Sequence, residues 1–235
     1  MSTTVLLVHG AFADGSAWNN VIARLQAAGV TAKAVANPLR GLSNDGEYVK
    51  SVVAQTEGDV VLVGHSYGGP VITYAGSDAE NVKSLVFVAA FGLDKGENAQ
   101  NSGADFPESP LIGALRPWTV PGTDVPDLSI AIEEYHRVFA ADVPEADAVL
   151  GAATQRPVSA AGLGEPLAVE PAWKRVPTWW VIGTDDRAIN PDYQRAIAKK
   201  IGATVTELDG GSHSIAISRS EEVADVILEA VRANG

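Results

Sequence analysis

The sequence predicts an α/β fold on a six-stranded, mainly parallel sheet, because short apolar runs recur along it and helix-like patterns alternate with them. The runs are Val5–Val8, Thr31–Val35, Val60–Val63, Leu85–Val88, Trp179–Ile182 and Thr204–Leu208. They read as continuous rather than alternating, as expected of strands buried on both faces. Helix patterns lie between them near residues 16–28, 45–56, 67–76, 191–200 and 219–233. The first stops at Gly29, a residue type that accepts the left-handed backbone just past a helix end. The fourth opens at Asn190-Pro191, a capping side chain followed by a proline whose missing N–H costs nothing there.

The alternation breaks between Phe91 and Trp173. Pro107, Pro110, Pro117, Pro121 and Pro126 crowd the segment from Gly103 to Asp127, which is expected to be irregular. Two helical patterns follow, over Leu128–Ala140 and Pro144–Ala153. The expectation is one structural domain: a core sheet from 1–91 and 174–235, with 92–173 inserted as a helical lid over one edge.

Composition narrows the function classes. Hydrophobic residues make up 46% and charged residues 20%, ordinary for a folded globular chain. A formal net charge of −12 argues against nucleic acid or an anionic membrane as partner, since both are bound through basic patches. The absence of cysteine excludes disulfides, thiolate metal sites and cysteine nucleophiles. The N-terminus, MSTTVLLVHG, has no basic segment, and its apolar run is short for a signal peptide. A cytoplasmic monomer or homodimer acting on a small molecule is the expectation.

The chemistry concentrates at Gly64-His65-Ser66-Tyr67-Gly68-Gly69, where the run Val60–Val63 leads through Gly-x-Ser-x-Gly into a helix starting Pro70-Val71-Ile72. Strand, serine and helix in that order make a sharp turn holding the serine, strained, at the C-terminal edge of the sheet. The glycines leave room for the helix and strand to pass closely, and the helix N-terminus favours developing negative charge. Ser66 is the predicted nucleophile.

A tetrahedral intermediate on Ser66 needs backbone N–H donors for its oxyanion. The residue after the nucleophile, Tyr67, supplies one. The second is assigned to the loop His9-Gly10-Ala11-Phe12 after the first strand, with Ala11 preferred and Phe12 second. His9 itself is read as a structural histidine bonded to backbone.

A serine hydroxyl also needs a base. His65 adjoins the serine but points elsewhere in a tight turn, and His136 lies in the inserted segment. His213, in Asp209-Gly210-Gly211-Ser212-His213-Ser214 after the last strand, is the predicted base. Its orienting acid should follow Trp179–Ile182, where Gly183-Thr184-Asp185-Asp186-Arg187 offers two aspartates. The spacing favours Asp186, while Asp185 is free to cap the turn or pair with Arg187. Asp192 and Asp209 read as a first-turn helix charge and a turn residue.

With these elements in place the chain resembles the α/β-hydrolase superfamily. Within it, the chain is similar to small bacterial esterases related to the plant methylesterase and hydroxynitrile lyase group. The matching pieces are His9-Gly10-Ala11 with Trp18, Gly64–Gly69, Val88-Ala89-Ala90-Phe91, Gly183-Thr184-Asp185-Asp186 and Gly210-Gly211-Ser212-His213; Ala153-Thr154-Gln155-Arg156-Pro157 also matches the bacterial members. The resemblance implies a six-stranded core lacking the two N-terminal strands of larger relatives, and Asp186 as the acid. The lyases carry a glutamate before the serine and a lysine after the histidine; His65 and Ser214 stand there instead, which favours hydrolysis.

The expected activity is hydrolysis of small carboxylic esters through an acyl-enzyme, with no metal or organic cofactor. Phe12, Trp118, Tyr135, His136 and Phe139 are candidates for the substrate pocket. The alternatives are other uses of the same three residues, as in a lactonase, C–C hydrolase, perhydrolase or lyase, or a non-catalytic ligand receptor.

Overall fold

The computed structural model describes residues 2–234. In chain order, strand β1 (Thr3–Val8) leads through a 3-10 turn (Gly15–Trp18) to α1 (Asn19–Ala27), and β2 (Thr31–Val35) leads to α2 (Leu42–Ala54). Strand β3 (Asp59–His65), α3 (Gly68–Ala75) and β4 (Val82–Val88) follow. The inserted segment then carries α4 (Pro110–Ala114), β5 (Leu115–Trp118), β6 (Asp127–Ile130), α5 (Ile132–Phe139), α6 (Glu145–Thr154), β7 (Val158–Ser159) and α7 (Ala160–Gly164). The chain returns with β8 (Thr178–Gly183), α8 (Pro191–Ile201), β9 (Thr204–Leu208), α9 (Ile215–Ser218) and α10 (Ser220–Arg232).

The large sheet has the order β2-β1-β3-β4-β8-β9, and every pairing in it is parallel. Its central strands are apolar because both faces are covered. Val5, Leu7, Val61, Val63, Val86 and Val88 face α1 and α10, while Leu6, Val8, Leu62, Leu85 and Phe87 face the other cluster. The edge strands depart from the continuous burial expected of all six. In β2 and β9, partly covered and exposed positions alternate along most of the strand, because an edge has less to pack against. Phe87 and Trp180 stack at 4.6 Å between ring centres and tie β4 to β8.

The inserted segment is more regular than its prolines predict. Its strands β5, β6 and β7 form a small antiparallel sheet, with Pro117 in an outer strand where a missing N–H is tolerated. The pattern over Leu128–Ala140 resolves into β6 and then α5, and only its second half is helix. Tyr135, Val138, Phe139, Ala148 and Ala152 of α5 and α6 join the same apolar cluster as Leu6 and Val8 of the sheet.

Close packing at the β3–α3 turn dictates its glycines. A Cβ on Gly64 would lie 2.5 Å from the Gly68 carbonyl oxygen, and one on Gly68 would lie 2.5 Å from that of Val8. Neither obstacle is a flexible side chain. Gly64→Ala is therefore expected to cost about 1–3 kcal/mol, read as a lower urea midpoint at unchanged slope. Gly113→Ala, where nothing lies within 4 Å, should hold or raise the midpoint.

Candidate active site

Ser66 follows the last residue of β3 with φ at +54°, a left-handed backbone that a serine adopts only under constraint. The constraint is visible in its bonds. Ser66 N–H donates to the Val88 carbonyl at 3.2 Å, and the Ser66 carbonyl accepts from Gly69 and Phe91 N–H at 3.0 and 3.3 Å. The loop after β1 presses against it from the other side. A Cβ on Gly10 would meet the Ser66 Cβ at 2.6 Å, so only glycine lets that loop come so near.

Two backbone N–H groups around Ser66, those of Ala11 and Tyr67, make no hydrogen bond among the described residues. Phe12, the second choice for a donor, is already committed. Its N–H donates to the Arg156 carbonyl at 3.0 Å, and its own carbonyl accepts from the Tyr135 hydroxyl at 3.3 Å. These bonds hold Phe12 at φ +61° and fix the loop. His9 fixes it further: Nδ1–H donates to the Gly10 carbonyl at 2.9 Å, so Nε2 accepts the Asn37 N–H at 3.0 Å. Burial lowers the pKa of His9 below its ordinary value, consistent with a neutral structural ring.

The two aspartates separate cleanly. Asp185 points outward and pairs with Arg187 at 2.8 Å. Asp186 is buried, and its Oδ2 accepts from His213 Nδ1 at 2.9 Å. The same oxygen accepts from Gln194 Nε2 at 2.8 Å, while Oδ1 accepts the N–H groups of Ala188 and Ile189 at 2.8 and 2.9 Å. Two bonds on each oxygen leave the carboxylate no freedom to turn away. With Nδ1 donating, His213 Nε2 holds the lone pair, and that atom is buried without a partner among the described residues.

His65, next to Ser66 in the chain, packs against His213. The His65 ring lies 4.7 Å from the His213 ring, and its Nε2–H donates to the His213 carbonyl at 2.9 Å. No hydrogen bond joins Ser66 Oγ to His213 Nε2 in this resting arrangement; such bonds commonly tighten only when substrate is bound. Phe139 packs edge-on to His213 at 4.8 Å and, with Ser66, lines a cavity of about 60 Å3. The Phe139 carbonyl accepts from the Ser214 hydroxyl at 2.9 Å, which ties α5 to the histidine loop.

Among the expected pocket residues, Phe12 and Phe139 line this chamber, and Tyr135 lines a neighbouring cavity of about 430 Å3. Trp118 and His136 do neither. Trp118 sits exposed at the end of β5, and His136 turns its Nε2 to the Val143 carbonyl at 3.0 Å. Trp118 lies in β5 of the small antiparallel sheet, and His136, on α5 as expected, spends its ring nitrogen on backbone rather than on the cavity.

Gln194 and Asp45 escape the sequence reading, and Arg156 enters it only as part of a matching motif, without a role. Gln194 anchors Asp186 from α8; a polar side chain on the buried face of that helix, beside Tyr193 and Ile197, is the signal it offered. Asp45, fully buried in α2, accepts from the Tyr67 hydroxyl at 2.9 Å. Burial, with Asp45 beside it, pushes the Tyr67 phenol well above its ordinary pKa, so it stays a donor. Arg156 holds the loop through its carbonyl and also donates from Nη1 to the Asn37 carbonyl at 2.9 Å.

Known proteins share this architecture. The family model described as the alpha/beta hydrolase family matches residues 5–226. A curated relative, putative methylesterase 12, chloroplastic, of Arabidopsis thaliana, is 23% identical over 95% of this chain and 70% of its own. Among solved structures, a methylesterase from Arabidopsis superposes with a TM-score of 0.82 at 20% identity, covering 98% of this chain and 99% of that one. Polyneuridine aldehyde esterase gives 0.83 at 20% identity, covering 97% and 99%. No helix among the described residues is long and apolar enough to cross a membrane.

The buried His65 makes stability depend on pH. Desolvation first, then the neighbouring His213, lower its pKa from 6.5 to about 3. Below pH 6.5 the unfolded chain takes up a proton that the folded chain refuses until about pH 3. Stability is therefore complete above pH 6.5 and falls with pH through that window, by about 1.4 kcal/mol per unit for one such group. Urea unfolding at pH 7, 5.5 and 4 should show this fall, and His65→Gln should make it shallower.

Proposed function

The chain belongs to the alpha/beta hydrolase family, and we propose that it is a serine esterase that cleaves small carboxylic esters through an acyl-enzyme. The observation that carries the reading is the buried Asp186–His213 pair, whose outward nitrogen bears a free lone pair beside the strained Ser66 turn. The methylesterase and esterase names borne by similar proteins agree with it.

In this mechanism Ser66 Oγ attacks the ester carbonyl while His213 Nε2 takes its proton. The Ala11 and Tyr67 N–H groups donate to the carbonyl oxygen as negative charge develops on it, assisted by the N-terminus of α3. Asp186 keeps the imidazole in the tautomer that leaves Nε2 free and stabilises the imidazolium. Collapse of the intermediate expels the alcohol, protonated by His213. Water, deprotonated by the same nitrogen, then attacks the acyl-enzyme and releases the acid. His65, where the lyases carry a glutamate, donates to backbone and is neutral, and Ser214 holds the Phe139 carbonyl in place of their lysine. Neither residue offers a group to handle cyanide.

A fluorophosphonate probe should label the protein covalently at Ser66, with labelling lost in Ser66→Ala; persistent labelling of that variant contradicts the assignment. The paired aspartates give a sharper contrast. Asp186→Asn should lower kcat on p-nitrophenyl acetate by about 10^4-fold, because the tautomer is lost, whereas Asp185→Asn should stay within about threefold.

A further inference from the structure

The chamber at Ser66 is too small to hold most esters whole, since binding pockets for small molecules usually measure about 300–1,000 Å3. It lies between two larger cavities. On one side it shares Phe91, Ala99, Gln100, Ala188 and Ile189 with a cavity of about 260 Å3. On the other, the Phe12 and Phe139 rings, 6.1 Å apart and edge to face, form a common wall with the cavity of about 430 Å3.

The chemistry of that second cavity is distinctive. It is lined by Phe12, Trp18, Tyr135 and Phe139, with Asp14 and the exposed Asp147 at its edge. No lysine or arginine lines it. Neither carboxylate enters an ion pair among the described residues. Asp14 accepts from the Ser16 N–H and hydroxyl at 2.7 and 2.6 Å, bonds that hold its carboxyl below the usual carboxylate range and so keep it charged. Arg156, whose charge reaches Asp14, directs its guanidinium to the Asn37 carbonyl and His9 instead.

An independent feature points to a ligand that donates a hydrogen bond. His65 lines the cavity at only 4% exposure. Its Nε2–H is spent on the His213 carbonyl, so Nδ1 is an acceptor, and it makes no bond among the described residues. Unpaired carboxylates and a neutral acceptor within an aromatic wall suit a protonated aliphatic amine, which pairs with carboxylates and donates N–H.

We propose that this cavity is a subsite for an aliphatic ammonium group on the substrate, reached from Ser66 when the Phe139 ring turns off Phe12. The inference rests on the esterase reading and adds the class of ester: one whose larger half carries a basic nitrogen.

The test compares 2-(dimethylamino)ethyl acetate, protonated at pH 7, with its uncharged carbon isostere 3-methylbutyl acetate. Wild-type kcat/KM should favour the amine by about tenfold, the scale of a hydrogen bond to a charged group. Asp14→Asn and Asp147→Asn, confirmed folded by circular dichroism, should each shrink that ratio, and the double variant should bring it near one. A wild-type ratio near one alongside turnover of p-nitrophenyl acetate overturns the ammonium subsite and leaves the esterase reading standing. So does a preference that survives in the double variant. Absence of turnover on all three esters, with no fluorophosphonate labelling, overturns the esterase reading and the subsite with it.

Discussion

The left-handed backbone at Ser66 is the constraint from which the rest of the site follows. A residue with a side chain at φ +54° is held there only if its neighbours leave no alternative, and here they are backbone atoms at close range. Val88 and Phe91 from the β4 end and Gly69 from α3 bond to the Ser66 backbone. Gly10, Gly64 and Gly68 remove the Cβ atoms that would push those segments apart. The turn thereby sets the serine at the sheet edge, facing a small buried cavity, and leaves the Tyr67 N–H unspent. It also sets the Ala11 N–H in the loop that closes against it.

That geometry is shared between the core and the inserted segment. Arg156, just after α6, holds the Phe12 N–H through its carbonyl and the Asn37 carbonyl through its guanidinium. Tyr67 leans on Asp45, whose carboxylate also accepts the Arg40 N–H, and the Arg40 guanidinium makes a two-pronged pair with Asp127 of β6 at 3.1 and 2.9 Å. On the opposite side Ser214 binds the Phe139 carbonyl. Bonds of this kind tie the insertion to the loop after β1 on one side and to the His213 loop on the other.

What the sequence made legible follows from how local each signal is. Six apolar runs bounded by turn residues mark the six strands of the sheet, and β2 and β9 fall on the very residues expected. Gly-x-Ser-x-Gly, His-Gly-Ala and the adjacent aspartates carry their chemistry in a few consecutive positions. Asp186 and His213 meet across 27 positions of sequence, and only a fold shared with relatives orders them. The insertion was least legible. Its short strands pair within a small sheet that no periodicity announces, which takes Trp118 away from the cavities, while His136 sits on α5 as expected but bonds backbone. Gln194, Asp45 and Arg156 act through contacts between distant segments, where spacing along the chain carries little information.

The most direct measurement is a crystal structure of the protein after reaction with a fluorophosphonate, since the adduct copies the tetrahedral centre formed on the serine. The site geometry requires phosphorus bonded to Ser66 Oγ, with its oxygen within hydrogen-bond distance of both the Ala11 and Tyr67 nitrogens and His213 Nε2 facing the adduct. An adduct on another residue, or a phosphoryl oxygen directed away from those two nitrogens, would contradict the catalytic arrangement described here.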